Sequence, residues 1–227
     1  WRISDSCGGE IMKKAIFVII PKTASEDVEF ALGIHPKTRP RKNQQIRACT
    51  RDQNYLLPSS EQSNIRGHQS FLSQQMRKKI GMQDWNTSFK FSFVRNPYSR
   101  AVSSWKFGGW GASWNCSFSD FAKKIKNEDL INPSNWSQLT FHTCTQLSHL
   151  TEYLTDKLIV DFIGRFENLQ EDFNIICDKI GIPQQELPYK NKSKHKHYTE
   201  YYDDETRQIV AEKYAKDIEY FGYEFGE

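Results

Sequence analysis

Three apolar runs are the clearest pattern in the chain, and each of them predicts a β-strand. Residues 15–20 are uninterrupted and rich in β-branched side chains, which is typical of a strand buried on both faces. The second run covers residues 89–94, and the third covers residues 158–166. Segments with apolar residues at helical spacing lie between and after these runs. This alternation predicts an α/β fold with a central parallel sheet flanked by helices.

The order of the predicted strands and helices along the chain also indicates the domain organisation. The predicted helices are a segment that ends at residue 32, followed by residues 71–80, 98–107, 118–125, 147–154, 168–180 and 203–218. Residues 34–51 are polar and basic and are expected to form a loop. Neither an internal repeat nor a linker interrupts the pattern. We therefore expect an N-terminal extension over residues 1–14 and a single domain over residues 15–227.

The composition fits one folded domain with a mixed surface. The 227 residues include 31 Lys and Arg against 28 Asp and Glu, a net charge of +3. This balance gives no general attraction to a polyanion, so no nucleic-acid partner is predicted. An aromatic content of 14% argues against disorder. The chain has no stretch of 18 apolar residues, so no transmembrane helix is predicted.

The cysteines give no sign of a metal site. There are five of them, and no C-x-x-C pair occurs, so zinc binding is not predicted. Buried free thiols are the expected state. A disulfide between Cys116 and Cys144 is the alternative.

A strand, a tight turn and the start of a helix follow one another around residue 21. Pro21 ends the strand because it has no N–H to donate. Lys22, Thr23, Ala24 and Ser25 come next, and they combine a full positive charge with two hydroxyl donors. Unpaired N–H groups at the start of a helix attract anions. The stretch predicts a phosphate cradle, with an ordinary β–α turn as the alternative. It lacks the glycines of G-x-x-x-x-G-K-[ST], so the cradle is not that of a typical ATPase or kinase.

The second strand also leads into an anion-suited turn. Arg95 follows its last residue, Asn96 and Pro97 break the strand, and Ser103 lies two turns into the next helix. A guanidinium fork and a hydroxyl can hold one anion. Open α/β folds bind ligands at the carboxyl ends of their strands, so we expect Arg95 and Ser103 to face the same ligand as Lys22. A surface charge beside a helix is the alternative for Arg95.

Further candidates lie on predicted loops. His68 follows a glycine just before the predicted helix 71–80, where its ring can reach a cleft; a structural or merely exposed histidine is the alternative. Between residues 30 and 51 the chain carries six Lys or Arg and no acid. That run is either a solvated loop or a wall that attracts an anionic acceptor or nucleotide phosphates. Residues 188–198 form a second basic loop.

Several motifs resemble those of the carbohydrate sulfotransferases, which use 3′-phosphoadenosine 5′-phosphosulfate (PAPS) as sulfate donor. They are Pro-Lys-Thr-Ala-Ser at 21–25, Gly-His-Gln-Ser-Phe-Leu at 67–72, Arg-Asn-Pro-Tyr-Ser-Arg-Ala-Val-Ser at 95–103, Gly-Arg-Phe-Glu-Asn-Leu at 164–169 and Phe-Gly-Tyr-Glu-Phe at 221–225. The resemblance spans residues 15–225. It is closest to the heparan sulfate and uronyl 2-O-sulfotransferase branch, and it implies a P-loop-like sulfotransferase fold.

For binding of the donor nucleotide, the resemblance implies two loops. The residues that would bind the 5′-phosphosulfate are Lys22, Thr23, Ala24 and Ser25. Lys22 would also neutralise the charge that grows on the bridging oxygen as sulfate leaves. A second loop would cover the nucleotide, and it consists of Lys192, Ser193 and Lys194.

The remaining implied roles concern the 3′-phosphate and the acceptor. Arg95 and Ser103 would hold the 3′-phosphate, and His68 would be the general base. Sulfuryl transfer is an in-line displacement in which positioning and charge stabilisation carry most of the acceleration. A histidine suits the removal of the acceptor proton near neutral pH. PAPS carries its own leaving group, so no metal is required.

One departure from the resembled pattern opens a second hypothesis. The family usually continues Lys-Thr-Ala-Ser with hydroxyl residues, whereas this chain has Glu26 and Asp27. Carboxylates that face the donor repel its phosphate, and carboxylates that point away suit the helix N-terminus. The alternative to an active enzyme is therefore a catalytically degenerate protein that binds nucleotide or anionic glycan. A P-loop-like kinase is the third hypothesis.

The sequence indicates a class of acceptor molecule and an expected cellular compartment. A hydroxyl of a saccharide is the expected acceptor, and the basic residues 37–51 and the tryptophans suggest an acidic, sugar-like molecule. The sequence does not indicate an oligomeric state. Members of the resembled family are often Golgi-resident and membrane-associated. Because Met12-Lys13-Lys14 precedes the first strand directly, we expect a cytoplasmic enzyme, with the Golgi lumen as the alternative if a longer protein has been trimmed.

Overall fold

A computed structural model describes residues 14–34, 46–49, 81–107, 116–126, 138–152, 157–188 and 196–227. In this part of the chain four strands form one sheet, in the order β2-β1-β3-β4, and all neighbouring strands are parallel. The strands are β1 (Ala15–Val18), β2 (Ile46–Cys49), β3 (Phe89–Val94) and β4 (Phe162–Arg165). The predicted α/β fold with a central parallel sheet is confirmed.

Helices flank the sheet. They are α1 (Ser25–Ala31), α2 (Met82–Thr87), α3 (Pro97–Phe107), α4 (Phe118–Lys126), α5 (Gln138–Thr143), α6 (Leu147–Leu150), α7 (Leu169–Ile180), α8 (Asp204–Lys213) and α9 (Ala215–Phe221). Two 3₁₀ turns, Phe166–Asn168 and Tyr198–Tyr201, precede α7 and α8.

The strand β1 is buried on both faces because its side chains alternate between two apolar clusters. Phe17 lies in one cluster, where its ring stacks on Phe91 at 5.1 Å between centroids. Ile16 and Val18 lie in the other cluster. A strand of this kind needs an unbroken apolar run, which is why its position could be predicted from the sequence.

The order of the strands places a crevice between the carboxyl ends of β1 and β3. After β1 the chain passes through α1 to β2 on one side of β1, whereas after β3 it passes through α3 and further helices to β4 on the other side. In open α/β sheets the point at which the connections diverge is where ligands bind. Lys22 follows β1 and Arg95 follows β3, so both turns open into this crevice.

Three strand predictions need correction. The first strand ends at Val18 rather than at residue 20, although Ile19 and Ile20 remain buried. The third strand is restricted to Phe162–Arg165, because Leu158 pairs with Thr151 in an isolated antiparallel bridge outside the sheet. The basic run 34–51, predicted as a loop, contains β2. Since β2 lies at the edge of the described sheet, it needs no doubly apolar pattern.

The helix predictions hold where the apolar spacing is regular. The predicted helices 98–107, 118–125 and 168–180 are present with shifts of one residue at an end. The predicted helix 147–154 ends at Leu150, and the predicted helix 203–218 is broken at Tyr214. The hydroxyl of Tyr214 donates to the Thr143 carbonyl at 2.8 Å, and the break turns Asp217 into the interior. The helix predicted at 71–80 lies outside the described residues.

Three further findings concern the described residues only. Cys116, Cys144 and Cys177 are free thiols, so the alternative Cys116–Cys144 disulfide is not formed. None of the helices there has both the length and the apolar character needed to cross a membrane. No cluster of three or more His, Cys, Asp and Glu in that part of the chain could hold a metal ion.

Candidate donor-binding site

The turns after β1 and β3 are in direct contact. The guanidinium Nη1 of Arg95 donates to the Lys22 carbonyl at 3.3 Å. The two strands are hydrogen-bonded neighbours, with Phe17 opposite Phe91, so their carboxyl ends lie side by side. The two anion-suited turns therefore open onto one site rather than onto different faces of the molecule.

The turn after β1 is shaped by two residues with left-handed backbone. Lys22 has φ 71° and Ala24 has φ 60°, and neither is glycine. Residues other than glycine adopt this region rarely, and such residues cluster at ligand-binding turns. Thr23 lies between them with its side chain fully buried, and its hydroxyl donates to the Ile20 carbonyl at 2.9 Å. In this structure the Thr23 hydroxyl therefore closes the turn.

The Lys22 ammonium is held in a poorly solvated position next to other cations. Its Nζ lies 3.9 Å from the centroid of the Phe107 ring, a cation–π contact. Burial, assisted by the neighbouring charge of Arg95, lowers the pKa of Lys22 to about 8, and Glu26 opposes this shift. A bound anion would stabilise the ammonium form.

The Arg95 guanidinium is fixed by several contacts. Its Nε donates to the Ser99 hydroxyl at 3.0 Å, and its plane lies over the Phe166 ring at 4.0 Å. Burial lowers the pKa of Arg95 to about 10, with the carboxylate of Glu167 opposing the shift and the charge of Arg100 adding to it. Within the described residues its hydrogen bonds use Nε and one N–H of Nη1, so N–H donors remain for a ligand. The alternative of a simple surface charge is wrong for Arg95.

Arg100 is a third cation of the site, and the sequence did not reveal it. Its side chain is fully buried, and it donates to the carbonyls of Pro21 at 3.1 Å, Cys144 at 2.8 Å and His142 at 3.3 Å. It thereby holds the backbone just before Lys22. An arginine on a helix normally indicates an exposed side chain, so only its place five residues after Arg95 could have drawn attention to it.

The two predicted serines lie on the helices that follow the two turns. Ser25 is the first residue of α1, directly after the left-handed Ala24, and is half-buried. Ser103 is half-buried on α3, four residues after Ser99, so it shares the helix face that contacts Arg95. Neither hydroxyl makes a hydrogen bond within the described residues, so both are available to a ligand at these positions.

The two acids that follow Ser25 occupy different environments. Asp27 is buried, with 5% of its surface exposed, and so does not present its carboxylate to solvent. Glu26 is half-buried, and its charge is close enough to Lys22 to raise the pKa of that lysine. Glu26 is therefore a carboxylate that acts on the cationic site through Lys22.

An aromatic pair borders the site next to Lys22. The Phe107 ring, 39% exposed, lies 4.9 Å from the His142 ring between centroids. Burial, then the charges of Lys22 and Arg100, lower the pKa of His142 to about 4, so this imidazole is neutral at physiological pH. Neither residue could be selected from the sequence, because Phe107 ends a helix pattern and His142 falls outside every predicted element.

The other predicted site residues cannot be placed. His68 and the loop of Lys192, Ser193 and Lys194 lie outside the described residues. Their predicted roles as general base and as nucleotide cover therefore stay predictions.

The comparisons with known proteins agree with the fold. The model of the sulfotransferase family matches residues 12–224. An uncharacterised protein of Archaeoglobus fulgidus is 32% identical over 111 residues, which are 48% of this chain and 82% of that protein. No solved structure matches the chain. Because the family match extends over nearly the whole chain, this protein belongs to the sulfotransferase family.

Proposed function

We propose that the protein transfers a sulfuryl group from PAPS to a hydroxyl of a saccharide acceptor. The observation that carries this proposal is the contact between the two turns, in which Arg95 donates to the Lys22 carbonyl at 3.3 Å. It gathers Lys22, Arg95 and the buried Arg100 into one crevice. A donor with a 5′-phosphosulfate and a 3′-phosphate supplies negative charge at two ends, and it fits a site with separate cations on neighbouring turns.

The pKa values support an anionic ligand of this kind. The pKa of Lys22 is lowered to about 8 and that of Arg95 to about 10, in both cases by burial and by neighbouring cations. Burial of these charges costs free energy, and a bound phosphate would offset part of that cost. In the proposal the Lys22 turn with Ser25 takes the 5′-phosphosulfate, and Arg95 with Ser103 takes the 3′-phosphate.

The chemistry assigned to these residues is an in-line displacement. The acceptor oxygen forms a bond to sulfur while the bond between sulfur and the bridging oxygen of the donor breaks. Lys22 neutralises the charge that develops on that bridging oxygen, and this kind of stabilisation is usually the largest contribution to catalysis. His68 accepts the proton of the acceptor hydroxyl, a step typically worth about 10²–10⁴-fold in rate. The Lys192-Ser193-Lys194 loop covers the nucleotide.

The acceptor class is inferred from the sequence motifs. Lys-Thr-Ala-Ser at 22–25 together with Gly-His-Gln-Ser at 67–70 resembles the heparan sulfate and uronyl 2-O-sulfotransferase branch. An anionic saccharide also suits the basic run at residues 37–51. We therefore place the acceptor among acidic glycans.

Transfer of radioactive sulfate from labelled PAPS to a panel of glycans tests the proposal. We expect the parent protein to label at least one acidic glycan, and we expect Lys22→Ala and His68→Ala to reduce the rate by about 10²-fold or more. A parent protein that binds the donor tightly but labels no acceptor would contradict transferase activity.

One observation favours a second candidate function. Glu26 acts electrostatically on Lys22, at a position where the resembled family usually has a hydroxyl residue. A carboxylate there weakens the hold on a 5′-phosphate, and the protein would then bind nucleotide or anionic glycan without transferring sulfate. Calorimetry with the product nucleotide 3′-phosphoadenosine 5′-phosphate (PAP) separates the two functions, because tight binding without any transfer supports the second.

A further inference from the structure

A buried glutamine side chain pairs with the backbone of Arg95. The backbone N–H of Arg95 donates to the Gln146 Oε1 at 2.8 Å, and the Gln146 Nε2 donates back to the Arg95 carbonyl at 2.8 Å. These two hydrogen bonds have the pattern that the backbone of a residue in a neighbouring β-strand would form with the backbone of Arg95. Gln146 has no exposed surface. Two hydrogen bonds in this dry environment fix the point from which the Arg95 side chain extends.

A buried carboxylate in turn fixes Gln146. The two oxygens of Asp217 accept hydrogen bonds from the backbone N–H groups of Gln146 at 2.7 Å and of Leu147 at 3.0 Å. Asp217 also has no exposed surface, and it belongs to α9, which starts after the break at Tyr214. The chain of contacts therefore runs from the C-terminal helix, through Gln146, to the end of β3.

The charges around Arg95 act on it in opposite directions. Lys22 and the buried Arg100 both carry positive charge close to it. The carboxylate of Glu167 offsets part of this repulsion, so the Arg95 side chain has competing electrostatic partners. The anchored backbone limits how far it can move, so that its guanidinium stays against the Lys22 turn and the Phe166 ring.

We propose that Gln146, held by Asp217, is a positioning residue that makes the site selective for a nucleotide with a 3′-phosphate. This inference rests on the proposed function, since it takes Arg95 as the residue that binds the 3′-phosphate. Gln146 itself touches no substrate. It acts by setting the position of Arg95.

Gln170 offers a matched control elsewhere in the molecule. Its side-chain amide forms the same kind of pair with backbone: the N–H of Leu187 donates to Oε1 at 2.9 Å, and Nε2 donates to the Gln185 carbonyl at 2.9 Å. This pair lies at the start of α7 and does not involve either turn of the site. Gln170 is half-buried, and its Nε2 also donates to the Asn174 Oδ1. Gln170→Leu therefore removes a comparable amide–backbone pair that does not involve the backbone of Arg95, in a more exposed position than that of Gln146.

The experiment compares the affinities of the full chain for PAP and for adenosine 5′-phosphate, which lacks only the 3′-phosphate. The parent should prefer PAP. In Gln146→Leu we expect the ratio of the two affinities to fall by about tenfold or more through weaker PAP binding, with the affinity for adenosine 5′-phosphate nearly unchanged. In Gln170→Leu the ratio should stay within about twofold of the parent.

The possible outcomes distinguish a failure of this inference from a failure of the proposed function. A parent without preference for PAP overturns both. A parent that prefers PAP, with a Gln146→Leu variant that keeps the preference or loses affinity for both nucleotides equally, overturns only the inference. If Gln146→Leu does not fold, Asp217→Asn decides: it leaves the Gln146 side chain in place but replaces one of the two acceptors that hold it. A lowered affinity ratio in this variant supports the positioning role, and an unchanged ratio overturns it.

Discussion

At the scale of single residues, the site contains two cations, Lys22 and Arg95, whose charged forms are disfavoured by burial. Burial, then the neighbouring charge of Arg95, lower the pKa of Lys22 to about 8, and its Nζ lies over the Phe107 ring. The guanidinium of the neighbouring Arg100 donates hydrogen bonds to the backbone carbonyls of Pro21 and Cys144. This arrangement favours a polyanionic ligand over a neutral one. It also makes ligand binding depend on pH in a defined direction.

The first prediction concerns this pH dependence. A bound phosphate raises the pKa of Lys22 above its value of about 8 in the free protein. Below pH 8 the lysine is protonated in both states, so its contribution to PAP affinity is fully present. As the pH rises above 8 the free protein loses the proton and the affinity should fall, approaching about tenfold per pH unit. Calorimetric titrations between about pH 7 and 9.5 measure this slope.

Lys22→Arg is the control for that slope, because a guanidinium keeps its charge throughout the range. We expect its affinity to vary much less with pH than that of the parent. An equally steep fall in Lys22→Arg would show that another group controls the titration.

The second prediction concerns Glu26. Its carboxylate stabilises the Lys22 ammonium but repels an incoming phosphate. Replacement by serine, the kind of residue that the family resemblance implies there, should strengthen PAP binding by about 1 kcal/mol, or roughly fivefold. Glu29→Ser, in the same helix, is the charge-matched control and should leave the affinity nearly unchanged. If Glu26→Ser binds PAP more weakly, the carboxylate supports the site instead of opposing the ligand.

At the scale of elements, the site depends on strands that end at the same level. β1, β3 and β4 are in parallel register, and β4 packs tightly on β3 at Gly164. A Cβ built at Gly164 would lie 2.5 Å from the Phe93 ring and 3.1 Å from the Asp172 Cβ. Glycine is required there because the neighbouring ring occupies the space of any side chain. The fold therefore explains a glycine that the sequence pattern only placed inside a strand.

The third prediction follows from this contact. Gly164→Ala should lower the free energy of unfolding by about 1–3 kcal/mol, because the buried Phe93 ring must shift to admit the methyl group. Denaturant unfolding measures the loss. In the double variant with Phe93→Leu the two losses should be less than additive by about 1 kcal/mol, since the smaller side chain leaves room for the methyl group. Simple addition of the two losses would exclude the clash as the cause.

At the scale of the whole molecule, the sequence predicts the framework better than the site. Doubly buried strands and amphipathic helices need long regular patterns, and β3 and α3 could be located to within a residue for that reason. Lys22 and Arg95 could be selected because each follows such a strand. Gln146 and Asp217 could not, because a buried polar side chain has no sequence pattern of its own and depends on contacts 71 residues apart. The edge strand β2 was missed since its four residues carry no apolar run.

The fourth prediction concerns the stability of the whole fold in acid. Burial and nearby cations lower the pKa of His142 to about 4 in the folded protein, whereas an unfolded chain has the ordinary value near 6.5. Above pH 6.5 the ring is neutral in both states and does not affect stability. As the pH falls from 6.5 to 4 only the unfolded chain takes up the proton, so folding should lose up to about 3 kcal/mol from this group.

Comparison with His142→Asn isolates this loss, because other groups titrate equally in both proteins. Between pH 6.5 and 4, denaturant unfolding should show the parent losing more stability than His142→Asn, while His197→Asn, at an exposed histidine, should follow the parent. If the parent and His142→Asn lose the same amount, His142 is protonated readily in the folded state. The His142 ring would then have to lie in contact with water rather than beside Phe107, and the two rings would not form an aromatic border of the donor site.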